Sequence, residues 1–209
     1  MLDYFAVFAV SYLIGAVPFG FLIGKCFHKD IRKEGSGNIG ATNVTRVIGK
    51  WWGRLCFFLD FLKGFGPVFA VSCIYAAPEA PVPGTLLLTA GAATILGHMF
   101  PVYLKFKGGK GISTAAGVAL ALAGWALLAA GLVWVAVFFI SRYVSLASIL
   151  AAVALPLAAT ALDLWYRPVP LSIRIFFAFI AVVAIYKHRS NIVRLKNGTE
   201  LRFERKKKN

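Results

Sequence analysis

Apolar residues gather into long runs over Tyr4–Gly24, Leu55–Ala77, Pro83–Leu104, Ala115–Ile140, Val144–Leu162 and Leu171–Tyr186, and the charged residues fall largely between them. A helix that crosses a bilayer needs roughly 18 or more apolar residues, because ~30 Å of hydrocarbon is covered at ~1.5 Å per residue. Five of the runs exceed that length, and the sixth, at sixteen residues, is short but workable. The pattern predicts an all-α integral membrane protein.

Basic residues orient the spans. The connector Lys25–Arg54 carries seven Lys or Arg and is expected in the cytoplasm, which places the N-terminus outside. Ala77–Gly84 carries none and fits the outside, while Lys105–Lys110 carries three and returns to the cytoplasm. Parity then bears on Ala115–Ile140. Crossing once, it would leave the nine basic residues of Lys187–Asn209 outside, against the positive-inside rule. Crossing twice, as two short or half-depth helices breaking near Gly131, it returns the C-terminus to the cytoplasm. As one helix these residues span only ~39 Å, so each half must tilt or thin the bilayer. The expectation is seven membrane segments in a single polytopic domain over 1–209. Residues 198–209 form a basic cytoplasmic tail. The start, Met-Leu-Asp-Tyr, lacks a positive n-region, so the first span reads as a retained helix.

Composition supports this picture and excludes others. The chain of 209 residues is 59% hydrophobic and 15% charged, with mean hydropathy +0.76. Ordinary soluble domains are roughly 25% charged. The formal charge of +15 does not signal nucleic acid, because it follows the loops and tail and no soluble recognition module fits between the spans. Cys26, Cys56 and Cys73 have no metal-ligand spacing and read as small hydrophobes.

The stretch Gly35–Arg46, GSGNIGATNVTR, interrupts this lipid-like sequence with glycines and small polar side chains. Gly35 and Gly37 permit positive φ and close backbone approach, so consecutive N–H groups can turn toward one anion. Ser36, Asn38, Thr42 and Asn43 add hydroxyls and amides, and Arg46 can clamp phosphate oxygens with two parallel bonds. A tight cytoplasmic turn is the plainer alternative for this segment. A second loop, FKGGKG at Phe106–Gly111, sets Gly108, Gly109 and Gly111 around Lys107 and Lys110, with Lys105 just before. It is no nucleotide P-loop, since Lys110 is followed by Gly111 and no upstream glycine stands at the required spacing. Flexible backbone donors beside a lysine still suit a phosphate; a basic membrane-edge loop would explain the lysines but not the glycines. Two such loops suggest an enzyme that joins two phosphorylated substrates.

Asp60 and Lys63 lie three apart within the second apolar run and can pair on one helix face. Charges inside a membrane helix point to function; here a structural ion pair and a substrate contact stay equally open. His28 reads as solvated and His98 as a packed helix-end residue. His188 and Asn191 share a face if the last helix continues past its span. No histidine is followed at the fifth position by an aspartate, there is no Gly-x-Ser-x-Gly elbow, and no metal-ligand cluster is evident. Any acyl transfer must therefore start from an already activated donor. A small anion transporter would place its polar residues at mid-membrane with repeat symmetry, which this chain lacks. A purely structural subunit leaves the glycine–lysine loops unexplained.

The strings GSGNIGATNVTR, DFLKG, GHMFPVYLKFKGGKGIST, RYVSLASI and HRSNIVRL, spanning residues 35–195, resemble the bacterial acyl-phosphate:glycerol-3-phosphate acyltransferase family. The resemblance implies a seven-span protein of the bacterial inner membrane with its active site on the cytoplasmic face. It implies transfer of a fatty acyl group from acyl phosphate to the 1-hydroxyl of glycerol 3-phosphate, giving lysophosphatidic acid and phosphate. It also implies no use of acyl-CoA or acyl carrier protein, and no cofactor or metal. On that basis Ser36, Arg46, Lys105, His188 and Asn191 are expected at the reacting centre. Gly35, Gly37, Asn38, Thr42, Asn43, Gly108, Gly109, Lys110 and Gly111 are expected to cradle phosphates, and the acyl chain to lie in a groove open to the bilayer.

Overall fold

In the computed structural model, which describes residues 1–76 and 82–203, every regular element among the described residues is helical. The chain falls into two compact units, Met1–Leu122 and Ala123–Asn209. Part of the expected outer loop, residues 77–81, and the last six residues of the expected basic tail lie outside the described residues.

The first unit opens with α1 (Leu2–Ala16) and α2 (Phe19–Cys26), which together form one apolar stretch of 25 residues. Pro18 supplies no N–H and ends α1, so the two helices are separated at Val17–Pro18. A short α3 (Ala41–Val47) precedes α4 (Lys50–Ile74), α5 (Gly84–Met99) and a 3₁₀ turn at Val102–Leu104. Glycines let these helices meet backbone to backbone, the way helices associate where lipid offers no hydrophobic drive. A Cβ at Gly15 would strike the Thr94 backbone, and one at Gly97 would strike that of Tyr12 and Ala16, so α1 and α5 pack with nothing between them. Gly64 and Gly117 do the same for α4 against α6 (Ile112–Ser141), at Thr114 and Phe61.

Within α6 the helical geometry breaks at Ala123, where φ is −158° and ψ is 74°. The break was expected near Gly131. It stands instead directly before Gly124, while Gly131 has open space around it and stays helical. A glycine weakens a helix without breaking it, and in lipid an unbroken ladder is the cheaper state.

The second unit contains the rest of α6, then α7 (Val144–Trp165), α8 (Leu171–Lys187) and α9 (Arg189–Lys196). Its aromatic side chains stack along α6, with Trp134 on Phe138 at 5.1 Å and Trp134 Nε1 donating to Ser148 Oγ at 3.2 Å. The α7–α8 turn is tied by an Arg174–Asp163 pair at 2.8 Å. Five helical stretches are long and apolar enough to cross a membrane, and six if α8 and α9 form one bent span. Large apolar side chains such as Phe58, Phe69, Leu132, Phe139 and Phe179 face outward, as they do when lipid is the solvent.

Candidate active site

The Gly35–Arg46 segment is a built loop. Asn43, 1% exposed, uses its whole amide to hold it. Nδ2 donates to the carbonyls of Ile31 at 2.8 Å and Glu34 at 3.1 Å, and Oδ1 accepts the Ser36 N–H at 2.8 Å. The Asn43 N–H donates to the Gly40 carbonyl at 3.0 Å, so side chain and main chain of this residue both go to shaping the loop expected to cradle phosphate. Gly35 and Gly37 have φ of +61° and +70°, and a Cβ at Gly35 would run into Asn43 Oδ1. Asn38 Oδ1 accepts the Gly40 N–H at 3.2 Å, an Asx turn that leads into α3. Ser36 is exposed, Thr42 is half-buried at the start of α3, and Arg46 is half-buried in its last turn.

The second loop lies in the same unit. Leu104, at its base, shares one apolar cluster with Ile39 and Val44 of the first loop, with Ile31 just before it and with Cys56 of α4, so a common floor carries both. Lys105 and Phe106 have φ of +51° and +61°. Side chains pay for that conformation, and such strain concentrates where function requires it. It leaves Lys105 exposed. Gly111 has φ of +82°, but Gly108 and Gly109 do not need positive φ. They are glycines for space, since a Cβ on Gly108 would strike the His98 carbonyl and one on Gly109 the His98 ring. Lys110 is half-buried beside them.

Asp60 and Lys63 pair as their spacing predicts, at 2.7 Å, and both are buried. Lys63 Nζ also donates to the Val17 carbonyl at 2.7 Å, at the α1–α2 break. The structural alternative is thus the one with an observed partner. His98 is buried as expected, but its Nδ1 faces Asp60 Oδ1 at 3.6 Å. A carboxylate does accompany one histidine, supplied across helices and invisible to any local spacing rule.

In the second unit the last helix does not continue. It bends by 57° between α8 and α9, with His188 at the break as the N-cap of α9. His188 is buried, and its Nδ1 lies 2.7 Å from the Ala184 carbonyl. That contact puts the ring proton on Nδ1, by donor chemistry rather than by sight. Asn191 Nδ2 donates to Glu200 Oε1 at 2.7 Å, where Ser145 Oγ also donates at 2.8 Å, while Arg194 Nε donates to Oε2 at 2.7 Å. Gly198, at φ +70°, turns the chain back so that Glu200 can return onto α9. Burial would raise the Glu200 carboxyl; the donors from Asn191, Ser145 and Arg194 outweigh it and hold it below the usual carboxylate range. Neither Glu200 nor Ser145 was singled out from the sequence. An acid inside a basic tail was the available signal.

The fold is therefore an all-helical membrane architecture with glycine-bearing polar loops between its spans. Known proteins place it further. The profile of the glycerol-3-phosphate acyltransferase family matches residues 5–198. A glycerol-3-phosphate acyltransferase of Aquifex aeolicus is 44% identical over 92% of this chain and 95% of its own. One from Desulforudis audaxviator is 46% identical over 96% of each. Two crystal structures of PlsY (YgiH), an integral membrane glycerol 3-phosphate acyltransferase, superpose closely. Its glycerol 3-phosphate form gives a TM-score of 0.85 at 42% identity over 96% of both chains. Its lysophosphatidic acid form gives 0.82 at 41% over 96% and 95%. The chain belongs to the glycerol-3-phosphate acyltransferase family, membrane-bound acyltransferases of lipid biosynthesis.

Proposed function

We propose that this chain transfers a fatty acyl group from acyl phosphate to the 1-hydroxyl of glycerol 3-phosphate, releasing lysophosphatidic acid and phosphate. Membership of the family supports the acceptor, and the PlsY structures carry a glycerol 3-phosphate form and a lysophosphatidic acid form. The observation that carries the donor is the setting of His188. Its Nδ1 meets the Ala184 backbone carbonyl, so the ring is oriented by the main chain and suits a donor that asks for no strong base. A mixed anhydride is such a donor, because its phosphate is a good leaving group and can itself take a proton. The glycerol oxygen attacks the acyl carbon, the bond from that carbon to the phosphate oxygen breaks, and the departing phosphate takes the hydroxyl proton. The protein supplies proximity and screening of two anions.

In this reading Ser36, Arg46, Lys105, His188 and Asn191 act on the reacting groups. Backbone N–H groups at Gly35, Asn38 and Thr42, and those of Gly108 and Gly111 with the Lys110 cation, hold phosphates, while Gly37, Asn43 and Gly109, whose N–H groups donate to the carbonyls of Glu34, Gly40 and His98, shape the two loops. The reading takes 1–209 as one polytopic domain of seven segments, with α6 crossing as two pieces divided at Ala123. The N-terminus lies outside, and the loops, the tail and the active site face the cytoplasm from the bacterial inner membrane. Neither acyl-CoA nor acyl carrier protein takes part. Purified protein given a long-chain acyl phosphate and glycerol 3-phosphate is expected to form 1-acyl lysophosphatidic acid. Formation of the 2-acyl isomer, or of no lipid, contradicts the assignment.

A further inference from the structure

Asp60, Lys63 and His98 form a cluster of ionisable groups at 1%, 5% and 4% exposure in the first unit. Asp60 Oδ1 stands 2.7 Å from Lys63 Nζ and 3.6 Å from His98 Nδ1. Lys63 has a structural explanation, since it caps the Val17 carbonyl where Pro18 interrupts the first span. His98 faces a different element, the Gly108–Gly111 loop. Buried polarity in a membrane helix is costly and is seldom kept for packing alone.

The far edge of the His98 ring supplies the reason. A Cβ on Gly109 would overlap Nε2 and come within 3.0 Å of Cε1 and 3.1 Å of Cδ2, so the Gly109 backbone rests directly on the imidazole. The Gly109 N–H also donates to the carbonyl of His98 at 3.1 Å, and the same carbonyl excludes any side chain at Gly108. His98 thus holds the loop by its main chain and by its ring. On its opposite edge the ring's Nδ1 faces the Asp60 carboxylate at 3.6 Å, an ion-pair separation longer than a hydrogen bond.

We infer that His98 is a positioning residue that fixes the height of the Gly108–Gly111 loop and so the placement of the Gly108 and Gly111 N–H groups toward a phosphate. The inference rests on the reading that this loop binds a substrate phosphate. It gives His98 no proton-transfer duty, because Nε2 lies beneath Gly109.

Gly109→Ala pushes a methyl into the ring, so removing the ring should relieve it. Four proteins decide the matter: wild type, Gly109→Ala, His98→Ala and the double variant. Each single change is expected to raise the KM for one phosphorylated substrate about tenfold, with kcat within about threefold, the pattern of lost uniform binding. The double variant should be no worse than His98→Ala. Fold-changes that multiply, or a fall in kcat at constant KM, overturn the inference. If His98→Ala does not fold, His98→Gln against His98→Ser replaces it. Gln refills most of the space under Gly109 and should bring KM back toward wild type, whereas Ser should not; equal KM values for the two overturn it. Should wild type show no turnover, the proposed reaction fails by itself. The same comparison is then made on the Tm rise given by glycerol 3-phosphate or inorganic phosphate, which any ligand of the native state produces. The same relief is expected there, and a wild type without any rise overturns the inference as well.

Discussion

Asn43→Asp is the most economical probe of the first loop, because it changes one NH₂ to one oxygen and leaves the shape alone. Oδ1 can still accept the Ser36 N–H. The other terminal atom now faces the carbonyls of Ile31 and Glu34, to which Nδ2 donated at 2.8 Å and 3.1 Å. Two hydrogen bonds are lost at about 1 kcal/mol each, and a buried oxygen set against two oxygens adds about 1–3 kcal/mol. At roughly 2–4 °C per kcal/mol for a chain of this length, Tm should fall on the order of 10 °C. The loop that carries Ser36 loses its anchor, and a misplacement of about 1 Å at a reacting group costs about 10²-fold. Thermal unfolding in detergent and kcat/KM under saturating acyl phosphate measure the two effects. An Asn43→Asp protein that matches wild type in both refutes the loop as an anchored structure that positions Ser36.

Four further outcomes follow from the same geometry. Arg46→Lys keeps the charge but loses the planar fork, and should lose most activity; near-normal turnover would reduce Arg46 to a topological charge. Ser36→Ala should be severely impaired, and full kcat would remove Ser36 from the reaction. The Glu200 carboxyl is held below its usual range, so it contributes stability above about pH 4.3, the ordinary value, that is lost as pH falls through the folded value. Glu200→Gln should therefore start with a lower Tm at neutral pH and show a shallower acid-side decline, and an unchanged slope contradicts the network. In the pH profile of kcat/KM, an acidic limb from phosphate ionisation should survive in both His188→Asn and His98→Asn. A limb near pH 6.5, the usual histidine value, that vanishes together with nearly all turnover in one variant would show a histidine acting as general base.

The helices and loops were legible because lipid imposes a simple rule: long apolar runs cross and polar residues gather between them. The Asp60–Lys63 pair was legible for the same reason, being local to one helix. What escaped the sequence is what depends on contact between distant elements. The ring of His98 meets Asp60 from another helix, and Glu200 reaches Asn191 only after Gly198 reverses the chain. The break at Ala123 was misplaced to Gly131, because glycine content alone does not say which glycine lies where the helix must yield. Gly108 and Gly109 could be read as flexible, yet their need is space over His98. Asn43 was placed in the phosphate cradle, because a sequence does not show that its amide and its own N–H are already spent within the loop.

The central claim is that the acyl group arrives on phosphate, with the leaving group serving as base. Its most direct test follows lysophosphatidic acid and inorganic phosphate together by ³¹P NMR. The purified protein is given glycerol 3-phosphate with a long-chain acyl phosphate, and in parallel with the matching acyl-CoA and acyl carrier protein thioesters. Equal amounts of lysophosphatidic acid and phosphate from the acyl phosphate, and no lipid from either thioester, is the predicted result. Lysophosphatidic acid formed from a thioester at a comparable rate, or acyl phosphate consumed without it, contradicts the account.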